Sequence, residues 1–129
     1  MNFVSLEDLP KKIPIFPLTG AVLFPKTQLP LNIFEPRYVQ MLNAALATQH
    51  KLIGMIQPIA GSDNSLKKVG CVGRVTSYNE TDDHRYLITL NGIIRFEIEN
   101  ELDTTTQYRQ VEVNYENFIS DLKSEDVTN

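Results

Sequence analysis

Few residues of this sequence have the type and spacing that catalysis requires. ATP hydrolysis needs a Gly-x-x-x-x-Gly-Lys-Ser/Thr loop whose backbone N–H groups hold phosphates, and the sequence has no such run. It also lacks Gly-x-Ser-x-Gly and His-Glu-x-x-His, the motifs of serine hydrolases and zinc proteases. A serine–lysine pair occurs at Lys123-Ser124, in a polar stretch that cannot desolvate the lysine. We therefore predict that the protein is not an enzyme.

The metal-binding and nucleophilic residues are isolated from one another. His50 ends the predicted helix, where a cation interacts favourably with the helix dipole, and His84 lies in a polar turn, so we interpret both as structural or solvated. Cys71 is the only cysteine, which excludes an intramolecular disulfide and a cysteine-rich zinc site. We expect a buried, inert thiol in a reducing compartment. The sequence predicts no metal and no cofactor.

The sharpest polar motif is Glu35-Pro36-Arg37-Tyr38. In one interpretation, these side chains contact a peptide at the start of a helix. In the interpretation that we favour, Glu35 caps the helix, Arg37 pairs with an acid or a carbonyl, and Tyr38 fills the core.

Length and composition indicate one domain with its own core. The chain has 129 residues, of which 42% are hydrophobic, and a domain of this size buries roughly two-thirds of its unfolded surface. The N-terminus has no continuous apolar run, and the most apolar stretch, 13–24, is interrupted by Pro14 and Pro17. We therefore expect a soluble, cytoplasmic protein that does not bind membranes.

Charge is unevenly distributed. Residues 1–78 contain eight Lys/Arg and four Asp/Glu, whereas residues 79–129 contain four and twelve. A pI of 5.1 with scattered lysines argues against nucleic-acid binding. In the acidic half, we predict Arg95 to be a surface cation beside Glu97 and Glu99, with orientation of a ligand carboxylate as the alternative.

One convincing helix is predicted, and it begins at Glu35-Pro36. Proline fits the first position of a helix because its missing N–H has no partner there. Apolar residues then follow at the spacing of a single buried stripe. They are Tyr38, Met41, Leu42, Ala45 and Leu46.

Short strands account for most of the remaining sequence. Prolines exclude a long helix or a central strand over residues 13–31. In the segment 85–99 the apolar residues keep one phase, since they fall at every second position, and Gly92 occupies one of these positions. The missing side chain of Gly92 would leave an inward gap that lets the strand bend. The predicted strands are 13–18, 28–34, 52–58, 69–78, 85–99 and 111–115.

These elements predict a mainly β fold with one principal helix, formed by a partly closed barrel of about six strands. Residues 1–120 would form the domain and residues 121–129 a polar, disordered tail. Ser5 and Asp8 could cap one helical turn over residues 3–9.

The sequence also resembles a known family. The run IPIFPLTGAVLFPKTQLPLNIFEPRYVQML (13–42) is similar to the opening motif of Lon N-terminal, substrate-binding domains, in the free-standing bacterial form without ATPase or protease domains. VGCVGRV (69–75) and HRYLITLNGIIRFEI (84–98) agree with later strands of that family. Two features differ: Lys26 stands where the family commonly has glycine, and the sequence ends where the family usually continues into a helical subdomain.

The resemblance implies a PUA-like pseudo-barrel and a non-catalytic protein-binding or peptide-binding module. Its partners would be unfolded or tagged proteins, with a protease or chaperone in a quality-control pathway, and its binding surface would be an apolar groove or sheet edge near residues 13–34. Phe16, Phe24, Phe34 and Phe96 are expected in the core, and any exposed subset of such aromatic residues beside the proline-rich edges would form the groove. The candidate peptide-binding residues are Phe16, Phe24, Leu31, Phe34, Glu35 and Arg37.

RNA binding and small-molecule binding are the two alternative functions. RNA binding, as in other PUA-like domains, would use Lys51, Lys67, Lys68 and Arg74 as a basic face. A small-molecule pocket like that of cereblon, a Lon-like protein, ranks third because that pocket belongs to a separate domain.

Overall fold

A computed structural model describes residues 8–62 and 64–122. The predicted turn over residues 3–9 falls mostly outside them, as do Lys123-Ser124 and the tail beyond Leu122. The elements are β1 (Lys12–Pro17), β2 (Gln28–Ile33), α1 (Pro36–Leu46), β3 (Leu52–Ile56), β4 (Val69–Glu80), β5 (Tyr86–Glu101), β6 (Gln110–Asn114) and a C-terminal 3-10 helix (Glu116–Leu122). The predicted domain boundary at residue 120 falls inside that last helix.

Five strands form a ring. β1 pairs in parallel with β3 and antiparallel with β6, while β4 pairs with both β3 and β5. The expectation that prolines exclude a central strand over residues 13–31 is therefore wrong for β1: Pro14 lies in the half that pairs with β6 and Pro17 in the half that pairs with β3. The ring closes because the second half of β5 pairs with β6. The predicted mainly β fold with one principal helix and a barrel-like sheet is therefore confirmed.

The β4–β5 hairpin extends beyond the ring, and β2 pairs with the first half of β5. The bend in β5 lies at Gly92, as predicted. Gly73 pairs with Gly92 and Val72 with Ile94, so Ile93 is the extra residue of a bulge.

Two clusters of buried residues make up the core. Helix α1 covers one side of the sheet with Tyr38, Met41, Leu42 and Ala45, as its apolar stripe predicts. The Tyr38 ring packs on that of Phe16, with centroids 4.3 Å apart. The second cluster fills the ring and includes Phe96, which has no exposed surface. Within the described residues, no helix is both long and apolar enough to cross a membrane.

Candidate functional site

The turn between β1 and β2 leaves an aromatic ring in solvent. The Thr27 N–H and hydroxyl both donate to the Phe24 carbonyl, at 3.2 and 2.8 Å. Pro25 occupies the second position of this turn and Lys26 the third, with a φ of 65°, as in a type II turn. The third position favours glycine because its φ is positive, which gives a physical reason for the glycine that the resembled family commonly has there.

This turn rests directly on the backbone of β5. The Lys26 N–H donates to the Gly92 carbonyl at 2.9 Å, and the Gly92 N–H donates to the Thr27 carbonyl at 2.8 Å. A Cβ atom added at Gly92 would lie 2.0 Å from the Phe24 carbonyl oxygen. Gly92 therefore permits both the bend and the close approach of the turn, which fixes the Phe24 backbone while 58% of the residue is exposed.

A groove of about 180 Å³ lies beside the turn. We call it the Phe24 groove. Val22, Phe24 and Val69 line it and are 49, 58 and 43% exposed. Lys67 and Arg95 add two cations to the lining. Because exposed apolar residues that cluster in a concave surface mark interaction sites, this groove is the candidate functional site.

An ion pair holds one wall of the Phe24 groove. Arg95 Nε and Nη2 donate to the Asp121 carboxylate at 3.0 and 2.9 Å, and the Arg95 backbone N–H donates to it at 3.0 Å. The hydrogen bonds from the Arg95 side chain are the main reason that the pKa of Asp121 lies below its ordinary value. The guanidinium also lies over the Phe118 ring, 4.7 Å from its centroid. The partner of Arg95 is thus Asp121 instead of the predicted neighbours Glu97 and Glu99.

Cys71 lines the same groove but is only 3% exposed. Burial raises the pKa of its thiol to about 12. The thiol stays protonated at neutral pH and is a poor nucleophile, since the thiolate is the reactive form. The prediction that this thiol is buried is confirmed, and its raised pKa agrees with the predicted low reactivity.

Comparison with known families decides the classification. The family model for the ATP-dependent protease La (LON) substrate-binding domain matches residues 12–129. The chain belongs to the Lon substrate-binding domain family. Family membership supports substrate recognition as the role of this domain.

Relatives of this Lon substrate-binding domain are Lon proteases. Lon protease 2 of Sorangium cellulosum is 31% identical over 68% of the chain. The Lon proteases of Flavobacterium johnsoniae and Parabacteroides distasonis are 32% and 33% identical over 72% and 81% of the chain. The chain spans only 12 to 13% of the length of these relatives.

Two solved structures share its fold. The Lon N-terminal domain protein from Xanthomonas campestris superposes with a TM-score of 0.68 at 23% identity, covering 81% of this chain and 59% of that one. The N-terminal domain of a Mycobacterium avium complex Lon protease gives 0.67 at 14% identity, covering 81% and 54%. The Lon-like fold predicted from residues 13–42 is confirmed.

The predicted peptide-binding residues of this Lon substrate-binding domain do not converge. Phe16 is buried and Leu31 is half-buried in β2. Phe34 is 54% exposed but lies at the other end of β2 from Phe24, on the order of 20 Å away for a six-residue strand. Its ring stacks under Arg85, 4.7 Å away. The expectation that Phe24 and Phe34 belong to the core is wrong, since each directly follows a buried residue, Leu23 or Ile33, and faces the opposite way.

The side chains of the motif at the start of α1 make local contacts. Glu35 is at the N-cap position, yet its side chain makes no capping hydrogen bond, so the predicted side-chain cap is wrong. Its backbone carbonyl accepts instead from the Tyr38 and Val39 N–H groups, both at 2.9 Å. Arg37 pairs with the Glu35 carboxylate at 3.5 Å, and Tyr38 is buried, as predicted.

Arg37→Ala should change the free energy of unfolding by less than about 1 kcal/mol, because an ion pair between half-exposed side chains contributes little. Binding of an unfolded protein should also be unchanged. Thermal denaturation and fluorescence anisotropy test both statements. Loss of binding at unchanged stability would instead make Arg37 a contact residue.

The four cations proposed for RNA do not form one face. Lys67 lines the Phe24 groove, whereas Lys51 and Arg74 line a different cavity. Lys68 pairs with Glu97 at 3.6 Å. A duplex or single strand needs a continuous basic surface, so this arrangement does not favour RNA binding.

Sequence reasoning missed Val22, Val69 and Asp121 as residues of the site. Alternation could have indicated Val22, since it flanks buried Leu23 on the same side as Phe24. Asp121 gave no local signal, because its contact with Arg95 spans 26 residues of chain.

Proposed function

We propose that this domain is a non-catalytic recognition module that holds exposed apolar segments of client proteins in the Phe24 groove. The observation that supports it is the exposure of Val22, Phe24 and Val69 along one groove whose backbone is fixed at Gly92. An apolar side chain of a client would cover these groups and remove them from water.

In the cell, the module acts as an adaptor in protein quality control that presents clients to a protease or chaperone. Two observations support a position on that pathway: the family relationship to Lon proteases and the fixed apolar groove. A cytoplasmic location is part of the proposal and agrees with the free thiol of Cys71.

Phe24→Ser should weaken binding of a permanently unfolded, carboxymethylated protein about tenfold, because the most exposed apolar anchor of the groove is lost. Phe34→Ser is the matched control, since Phe34 has a similar exposed fraction, 54% against 58% for Phe24, but lies outside the groove. Fluorescence anisotropy measures both affinities. The proposal fails if the two variants bind equally well, or if only Phe34→Ser loses affinity.

A further inference from the structure

The β4 strand has an open edge beyond the ring. β3 begins at Leu52, opposite Arg74, and the last bond on that side of β4 runs from the Val75 N–H to the Lys51 carbonyl at 2.9 Å. Over residues 76–80, β4 pairs only with β5 among the described elements. Such an edge presents backbone groups that another strand can pair with.

The hairpin turn fixes which groups face outward. The Thr81 N–H donates to the Arg85 carbonyl at 2.8 Å. Because backbone groups alternate along an antiparallel ladder, Asn79 and Ser77 also face β5, while Tyr78 and Glu80 face the open edge. The Tyr78 residue is 58% exposed.

The open edge of β2 is protected in a way that the β4 edge is not. The Gly92 N–H donates to the Thr27 carbonyl, so by the same alternation Leu29 and Leu31 face β5 and Pro30 faces outward. Proline has no N–H to offer and blocks strand addition there. Residues 76–80 contain no proline.

The β4 edge is closed and cationic at one end and acidic at the other. A cavity of about 420 Å³ lies at the closed end, between α1 and β4, and Lys51 and Arg74 line it together with Leu46 and Val75. β3 occupies the next position along the edge, so an added strand cannot continue past Lys51. Glu80 lies at the far end.

We propose that residues 76–80 and this cavity form a slot for the free C-terminal end of an unfolded chain. We call it the β4 slot. The chain adds as an antiparallel strand, its carboxylate lies beside Lys51 and Arg74, and its apolar last side chain enters the cavity. A parallel strand would instead place its terminal ammonium beside the two cations, which repel it. This inference rests on the proposed function, since it assigns clients a second contact.

The test uses an N-terminally fluorescein-labelled heptapeptide of alternating valine and threonine that ends in leucine, as the free acid and as the C-terminal amide. We expect the acid to bind the unaltered protein about tenfold more tightly than the amide. Lys51→Glu should remove this preference, while Lys68→Glu, a control lysine outside the slot, should keep it. Equal affinity of acid and amide for the unaltered protein overturns the proposal without any variant.

Strand addition is tested with two variants of one residue. Tyr78→Pro removes a backbone N–H that faces the open edge. It should weaken binding of the acid peptide about tenfold relative to Tyr78→Thr, which keeps that donor. Equal binding by the two variants excludes backbone pairing. Circular dichroism verifies that both variants are folded. If Tyr78→Pro does not fold, the comparison of acid and amide binding to the unaltered protein decides the proposal instead.

The two proposals fail separately. If Phe24→Ser reduces affinity for the unfolded protein while the acid and amide peptides bind equally, the β4 slot is wrong and the Phe24 groove stands. If the acid is preferred but Phe24→Ser has no effect, the groove is wrong and the slot stands.

Discussion

Gly92→Ala should lower the free energy of unfolding by about 3 kcal/mol or more, among the largest effects expected of one methyl group. The new Cβ would lie 2.0 Å from the Phe24 carbonyl oxygen and 2.8 Å from its carbon. This obstacle is backbone, and it can move only by breaking the bonds that join Lys26 and Thr27 to Gly92. The turn that carries Phe24 should therefore be displaced, so client binding should fall as well.

Urea denaturation followed by circular dichroism measures the loss, provided that the slope of the transition is unchanged. Gly20→Ala is the control, because Gly20 has a φ of 83° and no atom within 4 Å of the added Cβ. Its cost is backbone strain alone, about 1 kcal/mol. A cost for Gly92→Ala no greater than that of Gly20→Ala would show that the turn does not rest on β5 as described.

Asp121→Asn should cost about 2 kcal/mol, a typical value for hydrogen bonds to a charged group. The Asp121 side chain is 8% exposed and accepts three hydrogen bonds from Arg95. An amide keeps the shape of the carboxylate but turns an N–H₂ group toward the donors of Arg95 and leaves the guanidinium without a counter-charge. The C-terminal 3-10 helix should then detach from the wall of the Phe24 groove.

The effect should depend on pH in a defined direction. The pKa of Asp121 in the folded protein lies below its ordinary value of 3.8, so its stabilisation is fully present above that value and is lost as pH falls through the folded pKa. The difference in unfolding free energy between the unaltered protein and Asp121→Asn should be constant near neutral pH and shrink below about pH 4.

Glu101→Gln supplies the matched control for this ion pair. Glu101 also accepts two hydrogen bonds from one arginine, Arg109, but its side chain is 48% exposed. Water competes for both charges there, so the cost should be about 0.5 kcal/mol. Equal costs for the two substitutions would mean that burial of Asp121 does not strengthen its pair.

Local patterns predicted the elements well because they depend on neighbouring residues. Pro36 and the apolar stripe of α1 predicted both the start and the buried face of the helix. The common phase of the apolar residues in β5 predicted which of them are buried, and Gly92 marked its bend. The bulge at Ile93 turns Leu90 and Phe96 toward different core clusters, which the common phase did not predict. The opening motif also predicted the family. Its residues, 13–42, are the ones that form the turn, β2 and the start of α1.

The same patterns could not predict which aromatic rings remain exposed. Phe16 and Phe24 are both apolar residues near prolines, yet Phe16 packs on Tyr38 whereas the turn holds Phe24 in solvent. Packing of the turn on Gly92 joins residues that are about 68 positions apart, and sequence periodicity carries no information on such contacts.

The sequence by itself thus determined the fold class, the helix, the buried phase of β5 and the Lon relationship, because backbone propensity and apolar spacing act over a few residues. Only the tertiary structure decided that Val22, Phe24 and Val69 share a groove, that Asp121 holds its wall and that, within residues 8–62 and 64–122, the end of β4 pairs with β5 alone. Closure of the ring brings distant segments together, and it also determines which strand edges have no paired strand among the described elements.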